Sequence, residues 1–353
     1  LMNTSAQSLP SPVLVVGSGL VGTSVALGLV EAGVDVYLRD RDPENVRLAV
    51  ETGAGSPEDV SNPALVIVAV PPSALEEIVR DLLREFPAAI VTDVASVKKA
   101  VCSAIDDPRF VGGHPMAGKE RSGPLAASAR LFEGRPWAIV PAVNSAEDAV
   151  DVVIDMVKAL GAVPVRLDAG EHDEAVALVS HVPHLVSNLT AALLNDSTAE
   201  QMTLAGQGLR DVTRIARSDT GLWVDIIRAN ARPVAQTLRS LKGQLDHLIA
   251  VVENDGDGLE SVLAEGRAGT SQIPGKHGDL PSEGTTVYVT IDDQPGELAR
   301  LFFDTGEVDV NIEDLRIDHE IGRPVGLVEI LVLPERAEFL VEALNNRGWS
   351  AYL

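Results

Sequence analysis

The segment FVGGHPMAGKERSG at 110–123 sets His114 between a Gly-Gly pair and a proline, with Lys119, Glu120 and Arg121 close behind. In isolation, a histidine among turn residues is a solvated side chain. An imidazole that is neutral near pH 7 is also the side chain best suited to take a proton from a reacting hydroxyl. Ser96, in ASVKK, reads equally as the N-cap of the next helix or as a hydroxyl at a site. SHVPH at 180–184 puts His181 and His184 on one helical face. No HExxH pattern or acidic partner accompanies them, so no metal site is expected. GLRDVTRIARSD at 208–219 carries Arg210, Arg214 and Arg217 beside Asp211 and Asp219. Arginines on a helix are usually solvated, and one turned inward would clamp a carboxylate.

A second chemistry lies upstream. GSGLVG at 17–22 matches G-x-G-x-x-G directly after a strand pattern and before a helix pattern, and Asp40 sits 18 residues beyond Gly22. Gly17, Ser18, Gly19, Leu20 and Gly22 would cradle a pyrophosphate at a helix N-terminus, and Asp40 would accept from ribose hydroxyls. Val70 and Pro71 end the third strand pattern beside that loop. The acid favours NAD, while Arg39 and Arg41 beside it leave NADP open.

These residues need a frame. From residue 12, strand-length apolar runs (13–19, 34–40, 64–72, 88–96) alternate with helix-period segments, which implies a parallel sheet covered on both faces. Runs at 135–142 and 162–168 read as further strands. After about residue 171 helical patterns take over, with Pro183 and Pro233 expected to kink or break them. The stretch 265–284 is rich in Gly, Ser and Pro and reads as a linker. Residues 285–353 have a βαββαβ rhythm. The expected fold is α/β: an N-terminal Rossmann dinucleotide-binding domain (11–170), an all-helical second domain (171–264), a linker (265–284) and a small α+β domain (285–353).

Composition narrows the function. A chain of 353 residues exceeds a single core, so two or three domains are expected. A net charge of −24 with no dense Lys/Arg stripe argues against nucleic acid. The one cysteine, Cys102, excludes an internal disulfide framework and suits a reducing compartment. No apolar run approaches membrane-spanning length, and LMNTSAQSLPS at the start has neither a basic nor an apolar leader region, so a soluble cytoplasmic protein is expected. The long helices carry apolar faces too large for one small domain to bury, which predicts a homodimer.

In order, DVASVK (93–98), GGHPMAGKERSG (112–123), SHVPH (180–184) and RDVTRIARSD (210–219) behind the glycine loop resemble the prephenate dehydrogenases of the TyrA family. The resemblance implies oxidation of the C4 hydroxyl of prephenate, hydride transfer to NAD and loss of the ring carboxylate as CO2, giving 4-hydroxyphenylpyruvate in tyrosine biosynthesis. It implies His114 as general base, and Ser96 as a hydrogen-bond partner of both hydroxyl and imidazole. Gly112 and Gly113 would leave room beside the base. Arg214 would hold a substrate carboxylate, His181 would lie near substrate and cofactor, and Glu120 would face the substrate or close the pocket. Arogenate is the alternative substrate, with Gln207 a candidate neighbour of its amine. A nicotinamide-sensing regulator without turnover is a distant second class. DDQPGELARLF (292–302) with VNIEDLRI (310–317) resembles an ACT domain, which implies an effector site for tyrosine or phenylalanine at Asp293, Pro295, Gly296, Asn311 and Ile312. With 14 acidic residues, 5 arginines and no lysine in 285–353, that domain suits a zwitterion better than an anion.

Overall fold

The computed structural model describes residues 9–118, 121–254, 256–273, 284–319 and 325–353. It divides into two compact units, Leu1–Leu245 and Asp246–Leu353. In the first, β1 (Val13–Val16), α1 (Leu20–Glu31), β2 (Val36–Arg39), α2 (Pro43–Glu51), β3 (Leu65–Val68), α3 (Pro72–Glu85), β4 (Ile90–Asp93), α4 (Lys99–Ala104) and β5 (Phe110–Pro115) alternate. β6 (Pro136–Pro141), α5 (Glu147–Ala159) and β7 (Val163–Arg166) follow. The sheet order is β2-β1-β3-β4-β5-β6-β7.

β1 (VLVV) and β3 (LVIV) are buried at every position, as strands covered on both faces must be. One apolar layer packs Val13, Val15 and Ile67 against α1 and α5; the other packs Leu14, Val16 and Val68 against α3 and α4. The expectation of an all-parallel sheet holds through β5. β6 then pairs antiparallel with β5, and β7 runs parallel to β6. Among the described residues the connection from β5 to β6 has a 3-10 turn at Pro124–Ala126 and no α-helix of the kind that carries a chain back for a parallel crossover. The order reverses at β1, which places a ligand crevice beyond the carboxyl ends of β1 and β3.

α6 (Ala169–Val176), a π-helical turn (Ala177–His181) and α7 (Val182–Ala192) then form one helical stretch. Asp168 caps it by a capping box with Glu171. Pro183 was expected to kink or break this stretch, and the regular α-helix is indeed interrupted just ahead of it by the π turn. The proline itself falls in the first turn of α7, where a missing N–H is tolerated. α8 (Ala199–Met202), α9 (Gln207–Thr213), a 3-10 turn (Arg214–Arg217), α10 (Thr220–Ala229) and α11 (Ala231–Glu253) complete the helices of this region. Pro233 likewise sits in the first turn of α11.

One expectation needs correction. Residues 169–196 form a helix of 28 residues that contains an 18-residue window of mean hydropathy 1.3, long and apolar enough to cross a bilayer by length and composition. The sequence reading missed it because His172, Asp173, His181 and His184 interrupt the apolar run; all four are buried polar residues here. Leu178, Val179, Leu189 and Leu193 lie exposed on the same stretch.

In the second unit α12 (Leu259–Thr270) extends into the segment expected to be a linker. Its glycines lower helix propensity, but Leu, Glu, Ala and Arg outnumber them. The remainder of the expected linker, 274–283, lies outside the described residues. β8 (Thr285–Asp292), α13 (Glu297–Gly306), β9 (Asp314–His319), β10 (Val325–Val332), α14 (Pro334–Asn346) and β11 (Ser350–Tyr352) follow in the order β-α-β-β-α-β. The sheet is antiparallel, order β11-β8-β10-β9. Val287, Val289, Val328 and Ile330 alternate inward to meet Leu301, Leu340 and Leu344 of the helices. Tyr288 and Tyr352, at alternate positions on the opposite face, stack 5.4 Å apart.

Candidate active site

The turn from β1 into α1 has the form that a pyrophosphate requires. Gly17 has φ +102°, and a Cβ there would stand 2.2 Å from the Ala69 carbonyl oxygen. A Cβ on Gly22 would stand 1.9 Å from the Gly17 oxygen, so both positions admit only glycine. Gly19, the N-cap of α1, faces open space, and no acidic side chain occupies the first helical turn. Backbone N–H groups there are free to meet an anion. The Ser18 hydroxyl is buried beside them without a hydrogen-bond partner. Asp40 braces the loop, accepting from the Ser18 N–H at 2.6 Å and from the Asp42 N–H at 2.9 Å, and each oxygen keeps a lone pair for a ribose hydroxyl. Arg39 points to the other side of the sheet, where Glu85 holds it by two 2.9 Å bonds. That geometry engages one of the two arginines that could have met a 2′-phosphate. Val70 and Pro71 follow β3 and lead into α3, adjacent to this loop.

His114 lies on β5 near its carboxyl end, 8% exposed. Its Nδ1 is 2.9 Å from Nε2 of His172, and Nδ1 of His172 is 2.8 Å from Oδ1 of Asp173. The Asp173 carboxylate also accepts the N–H groups of Lys98 (2.8 Å) and Lys99 (3.0 Å). Lys98 has its ammonium paired with Asp93, both side chains fully buried. Asp93 in turn accepts the N–H of Ala95 at 2.9 Å and of Gly113 at 3.2 Å. The β4 and β5 ends and α6 are thus joined through charged groups. Burial holds the His114 pKa well below the usual histidine range, and His172, Lys98 and His181 push the same way.

A second cluster adjoins it. Asn230 donates from Nδ2 to the Asp173 backbone oxygen (2.8 Å) and to Nδ1 of His181 (3.1 Å). An amide nitrogen can only donate, so the His181 proton resides on Nε2. Burial lowers His181 to about 4 against the opposing pull of Asp173, with His172 and His184 lowering it further. His184 lies flat on Trp223 at 3.6 Å and 4°. Among the described residues no group of three or more His, Cys, Asp or Glu is arranged to hold a metal.

Against this geometry, two family models match the chain. The nucleotide-binding domain of prephenate dehydrogenase matches residues 25–166, and its dimerization domain matches residues 168–265. The chain is 36% identical to a probable prephenate dehydrogenase, NovF, of Streptomyces niveus, over 96% of this chain and 98% of that one. The chain belongs to the prephenate dehydrogenase family. Among solved structures, prephenate dehydrogenase of A. aeolicus, in complex with hydroxyphenyl propionate and NAD+, is 30% identical with a TM-score of 0.69 over 75% of this chain and 99% of that one. Synechocystis arogenate dehydrogenase is 27% identical with a TM-score of 0.63, over 73% and 98%.

In this prephenate dehydrogenase family member His114 and His181 lie in one buried network, linked through His172, Asp173 and Asn230. Ser96 is half-buried at the end of β4 but makes no hydrogen bond with His114, whose Nδ1 is taken by His172. It does not cap α4 either; Lys98 is the residue at that position. Gly112 and Gly113 do not leave room for a ligand. A Cβ on Gly112 would meet the Val140 oxygen at 2.8 Å, and one on Gly113 the Asp93 oxygen at 2.6 Å, so protein atoms fill both places. Arg214 is exposed in the 3-10 turn that packs against α7. Gln207 is exposed and donates to Asp211 at 3.0 Å. Glu120 lies outside the described residues.

Sequence reasoning passed over His172, Asp173, Asn230, Trp223 and the Lys98–Asp93 pair. The signal for the first two was present in EHDE at 171–174, where His-Asp stands in the first turns of a capped helix. An acid beside a histidine reads as a solvated helix start until the sheet edge that covers it is known.

Proposed function

We propose that this chain oxidatively decarboxylates prephenate to 4-hydroxyphenylpyruvate with NAD. The observation that carries the proposal is a buried histidine at the carboxyl end of β5, one ring nitrogen engaged by His172, on the sheet edge that also bears the glycine loop. NAD, bound by Gly17, Ser18, Gly19, Leu20, Gly22, Asp40, Val70 and Pro71, supplies the hydride acceptor. His114 takes the C4 hydroxyl proton on its remaining nitrogen, and a pKa below the usual range keeps that lone pair available at pH 7. Ser96, without a partner among the described residues, meets the substrate hydroxyl. Arg214 clamps a substrate carboxylate, and His181 borders the substrate. As the ring carboxylate departs as CO2, aromatisation drives the reaction.

The same site chemistry serves arogenate, and the likeness to Synechocystis arogenate dehydrogenase supports that second reading. Steady-state NADH formation with prephenate and with arogenate, for the parent protein and His114→Asn, separates the two. Turnover of prephenate that falls at least a hundredfold in the variant is expected, the ordinary scale for a lost general base. Turnover of arogenate alone moves the substrate, and turnover of neither overturns the proposal.

We also propose that the chain works as a cytoplasmic homodimer through the apolar face of Leu178, Val179, Leu189 and Leu193, a reading that the dimerization-domain match supports. Residues 285–353 act as an ACT-type regulatory domain. Its effector, tyrosine or phenylalanine, would sit at the turn of Asp293, Pro295 and Gly296 ahead of α13 and beside Asn311 and Ile312. Gly296, at φ +99°, lets the chain turn sharply into that helix.

A further inference from the structure

We propose that His172 and Asp173 are positioning residues that fix the tautomer of His114, so that its Nε2 carries the lone pair aimed at substrate. This inference rests on the reading of His114 as the base. The carboxylate of Asp173 can only accept, so the Nδ1 of His172, 2.8 Å from it, carries a proton. Asp173 is held to this duty by the Lys98 and Lys99 N–H groups, which tie the carboxylate to the start of α4 and leave it no freedom to turn away. Carrying that one proton, His172 presents its lone pair on Nε2, 2.9 Å from Nδ1 of His114. That contact needs one hydrogen, and His114 supplies it from Nδ1. The nitrogen outside the chain, His114 Nε2, is left unprotonated.

Without that constraint, a neutral histidine in water favours the opposite tautomer, with the proton on Nε2, which could not take a proton from substrate. The same chain works during turnover. When Nε2 of His114 accepts the hydroxyl proton, the O–H bond breaks, an N–H bond forms, and the ring becomes cationic. Its Nδ1–H bond to His172 strengthens, and the Asp173 charge behind His172 balances the new cation. The ring centroids of His114 and His172 lie 5.1 Å apart while the two nitrogens are only 2.9 Å apart, so Nδ1 and Nε2 point at each other along the line between the rings. The other charged groups against this chain are the buried Lys98–Asp93 pair; beyond Asp173 lies His181, which is neutral.

The test needs no substrate for its first arm. In the full-length protein labelled with nitrogen-15 histidine, long-range nitrogen–proton NMR spectra identify the His114 tautomer by comparison with His114→Asn. The expected result is Nδ1–H in the parent and in His172→Gln, whose carbonyl can accept from His114, and Nε2–H in His172→Phe. In the kinetic arm, His172→Phe lowers kcat by roughly a hundredfold to ten-thousandfold with KM little changed, and His172→Gln recovers most of it. An Nε2–H signal in the parent, or full kcat in His172→Phe, overturns the inference. Should His172→Phe fail to fold, Nδ1–H and near-parent kcat in His172→Gln against a loss in His172→Ala serve the same end. If neither prephenate nor arogenate is oxidised while the tautomer switches as described, the reaction assigned above fails and the positioning role stands.

Discussion

Replacing Lys98 by Met tests the buried charges beneath the site. Lys98 and Asp93 are both fully buried and paired, and Met keeps most of the lysine stem. Removing the ammonium leaves the Asp93 carboxylate buried with two backbone N–H donors, from Ala95 and Gly113, and no cation. Breaking a buried pair from one side costs about 3–5 kcal/mol, and the two retained hydrogen bonds place this case near the lower end, about 3 kcal/mol. Changing Asp93 to Asn at the same time removes the stranded charge, so the double variant should recover at least about 1 kcal/mol over Lys98→Met. Urea unfolding followed by tryptophan fluorescence reads both losses, since Trp137 is fully buried against the same sheet. Lys98 also helps depress His114, so its loss moves the acid limb of kcat/KM to higher pH. A loss under about 1 kcal/mol for Lys98→Met, or a double variant no more stable than the single one, would refute the view of Asp93 as a buried ion.

Other perturbations follow from the same contacts. Gly113→Ala brings a Cβ within 2.6 Å of the Asp93 oxygen and 3.0 Å of Trp137 Nε1, and overpacking of that kind should cost about 1–3 kcal/mol, read by thermal unfolding. Gly22→Ala should abolish NAD binding in calorimetry, because its Cβ collides with the Gly17 oxygen and reshapes the loop; binding at parental affinity would contradict the cradle. His181 titrates near 4 when folded against 6.5 unfolded, so the native state favours its neutral form. That stabilisation is complete above about pH 6.5 and is lost as pH falls towards 4, about 3 kcal/mol in all, with His114 adding in the same direction. Unfolding in urea at pH 7 and pH 4.5 should show this fall, and His181→Gln should flatten it. Finally, a chain ending near residue 273 should lose any inhibition by tyrosine that the full chain displays, and equal responses in both would sink the regulatory reading.

The glycine loop could be located from sequence because its constraints are local: two glycines that meet backbone atoms, a strand behind, a helix ahead and an acid at the end of the next strand. The parallel core was legible for the same reason, as continuously apolar runs declare strands covered on both faces. The reversal at β6 was not, since strand direction depends on how the connection packs rather than on the strand's own residues. The long helix at 169–196 was misjudged because periodic polar residues interrupt a hydropathy run even when they face inward.

The site divides in the same way. By itself the sequence determined the nucleotide loop and the family, and it singled out His114 as a candidate, because these rest on residue types at fixed short spacings. Only the tertiary structure brought His172 and Asp173 against that histidine. His114 and His172 are 58 residues apart in the chain, and Lys98 meets Asp173 across 75. Such contacts exist only once the capped helix α6 is laid against the ends of β4 and β5. Tertiary packing likewise decided that Gly112 and Gly113 serve the closeness of strands rather than a ligand. A spacing rule sees neighbours within a turn of chain, whereas a buried carboxylate finds its partners wherever packing excludes water.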